Sequence, residues 1–412
     1  MVSSAQRLPP PWAIGATGDL ELARAAGEAT AIDALAHGVA VVFAPVLDVA
    51  DVAANPIVAT RAFGADPHEV ARFGTAWIEG CAAGGAAAIG KHYPGHGSTT
   101  VDSHLELPVV TGDRKRLESV EEVPFRAAIA AGIPGLMIGH LHAPALEPSA
   151  SRPATLSRAV ITDRLRGTLG FDGVIFTDAL DMGAIDQGDG RPEQEPAVVA
   201  LLAGADVPLL PADPHRAARS IRDAVRSGAL PIDRLEDAAA RIESLLSPID
   251  VAIPATPGPR PETTAVAREI SRRSVVRSSS APRVDLRETP VELIVLDDSS
   301  DEDARGALDG ALRAAGIELA DRATRRLVVV LSDVLSSKGR IALAADAMQR
   351  LREALTFTGD VELLIAGPPQ AVPPEMRPES TTVVFDTAKA SLDAAASVLT
   401  DRLAATGRAD WS

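Results

Sequence analysis

The feature that most constrains the fold is a repeated order of helix, short apolar strand and polar loop over the first 250 residues. The strands are runs of Val, Ile, Leu and Ala, which is typical of strands buried on both faces. Strands are predicted at 39–45, 86–91, 135–140, 173–178 and 207–211. Helices are predicted at 20–37, 68–83, 120–131, 158–169, 196–203, 215–227 and 232–246. This order predicts an α/β fold with a parallel sheet, either open or closed into a barrel.

A Pro-rich segment follows this first pattern and predicts a stiff linker. Beyond it, a second α/β pattern has strands near 291–296, 326–331, 362–366 and 381–385, with helices between them. We therefore expect a catalytic domain at 1–247, a linker with a connecting helix at 248–285, and a smaller α/β sandwich domain at 286–412.

The charge and composition exclude several classes of protein. A formal net charge of −16 argues against nucleic acid or an anionic membrane surface as the partner. No apolar run approaches the ~18 residues of a membrane span. The single cysteine, Cys81, excludes an intrachain disulfide framework. No apolar leader follows Met1, so we expect a cytoplasmic protein.

Polar side chains concentrate in residues 91–104, directly after the predicted strand at 86–91. Five of these fourteen residues are His, Lys or Asp, in a chain with eight histidines. The stretch reads Lys91-His92-Tyr93-Pro94-Gly95-His96-Gly97-Ser98-Thr99-Thr100-Val101-Asp102-Ser103-His104. Because α/β folds collect ligands and chemistry at the carboxyl ends of strands, this loop is predicted to carry the functional site.

Two parts of the sequence supply complementary chemistry. Asp102 lies two residues before His104, so its carboxylate can orient the imidazole as a general acid/base. Asp178 ends the apolar strand 173–178 and is predicted to lie at the same rim of the sheet. A rim carboxylate and a tuned histidine suit glycoside cleavage by a nucleophile and a proton donor. The alternative for Asp178 is the N-cap of the following helix.

Other interpretations of these residues remain open. One alternative is a site for a divalent metal, with the ligands His92, His96, Asp102 and His104. Against it, the spacing matches no standard zinc pattern, and Lys91 would repel the cation.

A Ser-His-Asp triad with Ser98 or Ser103 is another, but the Gly-x-Ser-x-Gly nucleophile elbow is missing. Asp48 and Arg61, each taken alone, favour structural roles as a turn residue and a surface cation. His140 and His142 remain ambiguous.

The motifs together resemble glycoside hydrolase family 3, in particular its bacterial β-N-acetylglucosaminidase branch, over residues 7–247. The segments that carry the resemblance are the 91–104 loop, 43–49 (Phe-Ala-Pro-Val-Leu-Asp-Val), Asn55-Pro56, 61–67 (Arg-Ala-Phe-Gly-Ala-Asp-Pro) and 170–180 (Gly-Phe-Asp-Gly-Val-Ile-Phe-Thr-Asp-Ala-Leu). The resemblance implies a TIM-type (β/α) barrel, followed by a smaller α/β sandwich domain.

The resemblance also implies roles for individual residues. Asp178 would be the nucleophile that forms a glycosyl-enzyme intermediate, and His104 the acid/base, oriented by Asp102. The substrate-binding residues it implies are Lys91, His92, Arg61 and Arg7. It implies no metal and no organic cofactor.

The implied activity is that of a retaining exo-β-N-acetylglucosaminidase acting on a small carbohydrate, a muropeptide or a chitin fragment. The alternatives are a non-catalytic sugar-binding homologue and a phosphorylase that uses phosphate as the acceptor. A β-glucosidase is disfavoured by the Asp-Ser-His triplet. The family's Asp-x-Glu-Gly-Gly motif and first strands are missing before Arg7, so we expect a barrel truncated at its N-terminus and consider a homodimer.

Overall fold

The computed structural model describes residues 7–52, 55, 57–100, 106–149, 152–186, 195–250, 260–278, 285–333 and 341–408. Asp102 and His104 lie outside the described residues, as does most of the Pro-rich segment. Contacts between residues divide the chain into two compact units. The first contains the described residues of 23–55 and 65–257, and the second those of 4–22, 56–64 and 258–412. The predicted domain boundaries stay a prediction.

Helices and strands alternate through the first 250 residues, as the apolar pattern predicts. The helices are α1 Pro11–Ala16, α2 Leu20–Ala36, α3 Pro67–Ala83, α4 Arg114–Ser119, α5 Val123–Ala130, α6 Gly183–Asp186, α7 Pro196–Ala203, α8 Pro214–Arg226 and α9 Ile232–Leu246. The strands are β1 Val41–Val42, β2 Ala87–Tyr93, β3 Gly135–Ile138 and β4 Val174–Thr177. Ala159–Thr168 forms a π-helix, and Ala59–Arg61 and Ala154–Leu156 form single 3₁₀ turns.

The sheet of the first unit is parallel, with the strands in the order β1-β2-β3-β4. Predicted strand 207–211 appears as one parallel bridge, between Phe176 and Val207. An apolar cluster on one face joins Ile89, Met137 and Phe176 to Leu245 of α9. The α/β class and the parallel sheet are confirmed.

The second unit carries a separate sheet. Its remaining elements are α10 Pro261–Ser274, β5 Val276–Arg277, β6 Val291–Asp298, α11 Ala304–Ala315, β7 Arg325–Ser332, α12 Ala345–Leu355, β8 Asp360–Ala366, β9 Thr381–Val384 and α13 Lys389–Leu399. The strand order is β5-β9-β8-β7-β6, in which β5 is antiparallel to β9 and the other pairs are parallel. Helices α11 and α13 contribute to its core, which agrees with the predicted α/β pattern.

No helix in the described part of the chain is both long enough and apolar enough to cross a membrane.

Candidate active site

The carboxyl ends of β2, β3 and β4 lie side by side, which places the polar residues that follow them at one rim. The amide of Gly139 donates to the carbonyl of Tyr93 at 2.9 Å, and the amide of Asp178 donates to that of Ile138 at 2.8 Å. Asp178 is thus held directly after β4, next to the end of β3. Since α6 begins only at Gly183, Asp178 is not the N-cap of that helix.

The Asp178 carboxylate is partly buried and surrounded by positively polarised groups. Burial by itself would raise its pKa, but the charges of His92, His140 and Lys91 and the amide of Ala179 outweigh burial and hold the pKa below its usual value. Oδ1 accepts from that amide at 3.0 Å. Asp178 is therefore ionised at neutral pH. This suits a nucleophile, which must be ionised, and not a proton donor, which must carry its proton.

Asp48 organises the base of the histidine-rich loop. It is fully buried, and its Oδ2 lies 2.8 Å from Nδ1 of His92. Its Oδ1 accepts from the backbone amides of His92 at 3.1 Å and His96 at 2.7 Å. Burial would raise the pKa of Asp48, but attraction to His92, the hydrogen bonds and the proximity of His96 lower it to about 2. Asp48 is therefore an anion that joins two loop histidines.

His96 is buried and packs edge-to-face against His92, with ring centroids 6.0 Å apart. Its Nδ1 lies 2.7 Å from the hydroxyl of Thr99, and the carbonyls of His96 and Gly97 accept from the Asn55 amide at 2.7 and 3.0 Å. Burial lowers the pKa of His96 to about 4. The ring is therefore neutral at pH 7 and serves the packing of the loop.

His140, ambiguous in the sequence, lies fully buried beneath the residue that follows Asp178. Its Nε2 donates to the carbonyl of Ala179 at 2.7 Å, and its Nδ1 lies 2.9 Å from the hydroxyl of Thr155. The donor at Nε2 fixes one hydrogen-bonding role of the ring. His140 thus supports the backbone that carries Asp178.

The remaining predicted site residues are placed as follows. Lys91 and His92 end β2 beside Asp178, whereas Asp102 and His104 lie outside the described residues. Arg61 and Arg7 belong to the second unit. The Arg61 guanidinium donates to the carbonyl of Ile57 at 3.3 Å, and Arg7 pairs with Asp301 at 3.3 Å. Their roles toward a substrate stay predictions.

Three residues of the two rival chemistries, Asp102, Ser103 and His104, lie outside the described residues. Within the described part of the chain, no three His, Cys, Asp or Glu side chains are grouped so as to hold a metal ion. The Ser98 hydroxyl is buried and makes no hydrogen bond within this part of the chain.

Comparison with known families identifies the chain. Residues 1–245 match the family model described as glycosyl hydrolase family 3 N terminal domain. The chain belongs to glycosyl hydrolase family 3. The resemblance drawn from the loop motifs is thus confirmed.

Relatives of this family 3 chain include two proteins named beta-hexosaminidase. That of Alkalilimnicola ehrlichii is 39% identical over 210 residues, covering 50% of this chain and 59% of that protein. That of Thiobacillus denitrificans is 40% identical over 213 residues, covering 50% and 57%. The chain spans just under three fifths of the length of these relatives.

Two solved structures match nearly the whole chain. A glycoside hydrolase family 3 β-N-acetylglucosaminidase from Paenibacillus sp. str. FPU-7 superposes with a TM-score of 0.86 at 29% identity, covering 99% of this chain and 83% of that one. A beta-glucoside phosphorylase superposes with a TM-score of 0.88 at 20% identity, covering 99% and 80%. The second likeness shows the fold alone.

The sequence predicts a turn or cap role for Asp48, whereas the structure places its carboxylate against His92 and the amide of His96. Its partner His92 is 44 residues away in the chain, so local pattern could not pair them. One signal was present: Asp48 follows the apolar Pro45-Val46-Leu47 as Asp178 follows β4. Both are acidic residues at the carboxyl end of an apolar run, where α/β enzymes place functional groups.

Proposed function

We propose that this family 3 chain is a retaining exo-β-N-acetylglucosaminidase that releases terminal β-linked GlcNAc from muropeptides or chitin fragments. The observation that carries the proposal is the position of Asp178 at the sheet rim, directly after β4, where His92, His140 and Lys91 favour its ionised form. The names of the beta-hexosaminidase relatives support the choice of sugar.

The proposed reaction has two displacements. An Asp178 oxygen attacks the anomeric carbon, the bond to the leaving oxygen breaks, and His104 transfers a proton to that oxygen. A water molecule, deprotonated by His104, then attacks the same carbon and frees the Asp178 carboxylate. Asp102 would orient the His104 ring.

The remaining roles in this proposal concern binding. Lys91, His92, Arg61 and Arg7 would hydrogen-bond the sugar, since charged donors fix hydroxyl groups and ring orientation. The parallel strands β1 to β4 would form part of a TIM-type barrel. The partner would be a small carbohydrate, and a homodimer and a cytoplasmic location stay expectations.

The test is release of 4-nitrophenol from 4-nitrophenyl β-N-acetylglucosaminide by the chain and its Asp178→Asn variant. Asp181→Asn is the matched control, because Asp181 is an exposed aspartate three residues further on. We expect Asp178→Asn to lower kcat by about 10⁴-fold, as the loss of one member of a group of catalytic residues does. Asp181→Asn should keep the wild-type kcat. Equal activity in the two variants would refute the role of Asp178.

The same assay separates the alternatives. Folded protein that binds GlcNAc without turnover would indicate a sugar-binding homologue, and faster cleavage of the β-glucoside would indicate a β-glucosidase. Added phosphate that speeds turnover and yields GlcNAc-1-phosphate would indicate a phosphorylase. A 5-fluoro glycosyl fluoride of GlcNAc should slow the second step, so that mass spectrometry finds the sugar on the peptide that contains Asp178.

A further inference from the structure

Asp48 is placed beside His92 by the backbone that precedes it. The segment before Asp48 runs parallel to β2, with a bridge between Val46 and Lys91. The amide of Leu47 donates to the carbonyl of Lys91 at 2.6 Å, and the Lys91 amide donates to the carbonyl of Pro45 at 3.1 Å. Asp48 therefore emerges level with His92, one residue beyond this pairing.

The carboxylate has its hydrogen-bonding capacity committed to the loop. Oδ1 accepts two backbone amides and Oδ2 accepts from the His92 ring, while no part of Asp48 is exposed to water. A carboxylate accepts hydrogen bonds and donates none. Nδ1 of His92 must therefore carry a proton, and Nε2 is the open ring nitrogen.

The other ring nitrogen, Nε2, faces away from Asp48, because Nδ1 is the atom that contacts it. The hydrogen bonds between His92 and Asp48 use the backbone amide and Nδ1 of His92, and the His92 side chain keeps 7% of its surface exposed. Among the groups that favour the ionised form of Asp178, the His92 ring has the largest effect. The ring therefore contacts the buried Asp48, and it lies on β2 two strands from β4, the strand that Asp178, the proposed nucleophile, follows.

We infer that Asp48 is a positioning residue that fixes the tautomer and orientation of His92, and so presents Nε2 of that ring to the sugar beside Asp178. The role of Nε2 toward the sugar rests on the proposed function, whereas the tautomer of His92 does not depend on that function. A second partner that sets which ring nitrogen is protonated is a common device in histidine sites.

The first test is the ¹⁵N–¹H spectrum of ¹⁵N-histidine-labelled protein, with the His92 signals assigned by their loss in His92→Gln. We expect wild-type His92 to carry its proton on Nδ1. In Asp48→Asn, the amide oxygen can still accept from the backbone, but the NH₂ group faces Nδ1 and should move the proton to Nε2. Wild-type His92 protonated only on Nε2 would overturn the inference, even if Asp48→Asn fails to fold.

The second test is kinetic, with Asp206→Asn as the matched control. Asp206 is also a buried aspartate, but its carboxylate binds Arg166 and Arg234 and contacts neither loop histidine. We expect Asp48→Asn to lower kcat/KM by about 10–100-fold, the effect that partners of metal-binding histidines have. Folded Asp206→Asn protein should keep kcat/KM close to wild type. Similar losses in the two variants would contradict a role beyond folding.

A double-mutant cycle distinguishes action through His92 from a separate structural effect. If Asp48 acts through this ring, Asp48→Asn should change kcat/KM little once His92→Gln is present. Losses that multiply would overturn the inference. Should wild-type protein prove inactive, the proposed function fails, and the His92 tautomer in the spectrum still decides whether Asp48 positions the ring.

Discussion

The side chains of Arg164 and Glu122 form a bidentate ion pair from which water is almost excluded. Arg164 Nε donates to Oε1 at 2.9 Å and Nη2 to Oε2 at 2.6 Å, with 5% and 0% of the two side chains exposed. The hydroxyl of Tyr93 donates to the same Oε1 at 3.1 Å. Since Tyr93 follows His92 on β2, the ion pair anchors the strand end that carries the site.

The first prediction concerns the loss of this pair. Glu122→Gln should destabilise the protein by about 3–5 kcal/mol, because it removes the buried anion of the pair and leaves Arg164 only the part-exposed Glu118. Glu118→Gln is the control: Glu118 also accepts from Arg164 Nη2, at 2.8 Å, but is 40% exposed and should matter far less. Urea unfolding measures both variants, and equal losses would show that burial does not decide the effect.

The second prediction concerns stability in mild acid. Unfolded histidine takes up a proton near pH 6.5, whereas buried His96 resists protonation until about pH 4. Unfolding therefore binds a proton within this window, and stability should fall as the pH drops from 6.5 to 4, by roughly 3 kcal/mol in total. Asp48, with its pKa lowered to about 2, adds a loss only below about pH 4.

Urea midpoints measured between pH 7 and pH 4.5 check this slope. His96→Gln should flatten it, since the titrating group is gone. His215→Gln should keep the wild-type slope, because His215 is an exposed residue at the start of α8. A wild-type midpoint that does not change across the window would contradict the prediction.

The third prediction concerns Gly97 in the histidine-rich loop. A Cβ at this position would lie 1.7 Å from the carbonyl oxygen of Val49, so Gly97→Ala must displace the loop or the segment that follows Asp48. We expect stability to fall by about 1–3 kcal/mol, the usual cost of an overpacked site, and hydrolysis of the 4-nitrophenyl substrate to be reduced.

Gly310→Ala provides the contrast for that substitution. Gly310 is an exposed residue within α11, and a Cβ there would meet no atom within 4 Å. Alanine should stabilise the protein by about 0.5–1 kcal/mol through helix propensity. Thermal unfolding of the two variants gives the comparison, and a neutral Gly97→Ala would disprove the close approach.

The fourth prediction concerns the single cysteine. Cys81 has no exposed surface, and burial raises the pKa of its thiol to about 12. The thiolate is the form that reacts with iodoacetamide. Folded protein should therefore resist alkylation at mildly alkaline pH, whereas protein unfolded in concentrated urea should react fully. Mass spectrometry measures the alkylated fraction, and rapid labelling of the folded protein would contradict the prediction.

The elements of both sheets could be predicted from the sequence because their signals are local. Predicted helix 68–83 corresponds to α3 and predicted strand 86–91 to most of β2. Asp66 accepts from the amides of His68 and Glu69, so the start of α3 is encoded within four residues. Strand 207–211 failed to form beyond one bridge, since pairing depends on neighbours that its own residues do not specify.

The sequence by itself determined which chemical groups this protein has at its strand ends: Lys91 and His92 after one apolar run, Asp178 after another. Apolar periodicity and turn residues suffice for that, because they act over a few residues. The tertiary structure decided how these groups are charged and oriented. Asp48 reaches His92 across 44 residues, and the ionised state of Asp178 depends on charges brought to it by different strands. Such effects depend on distance in space and on burial, which no local stretch of sequence contains.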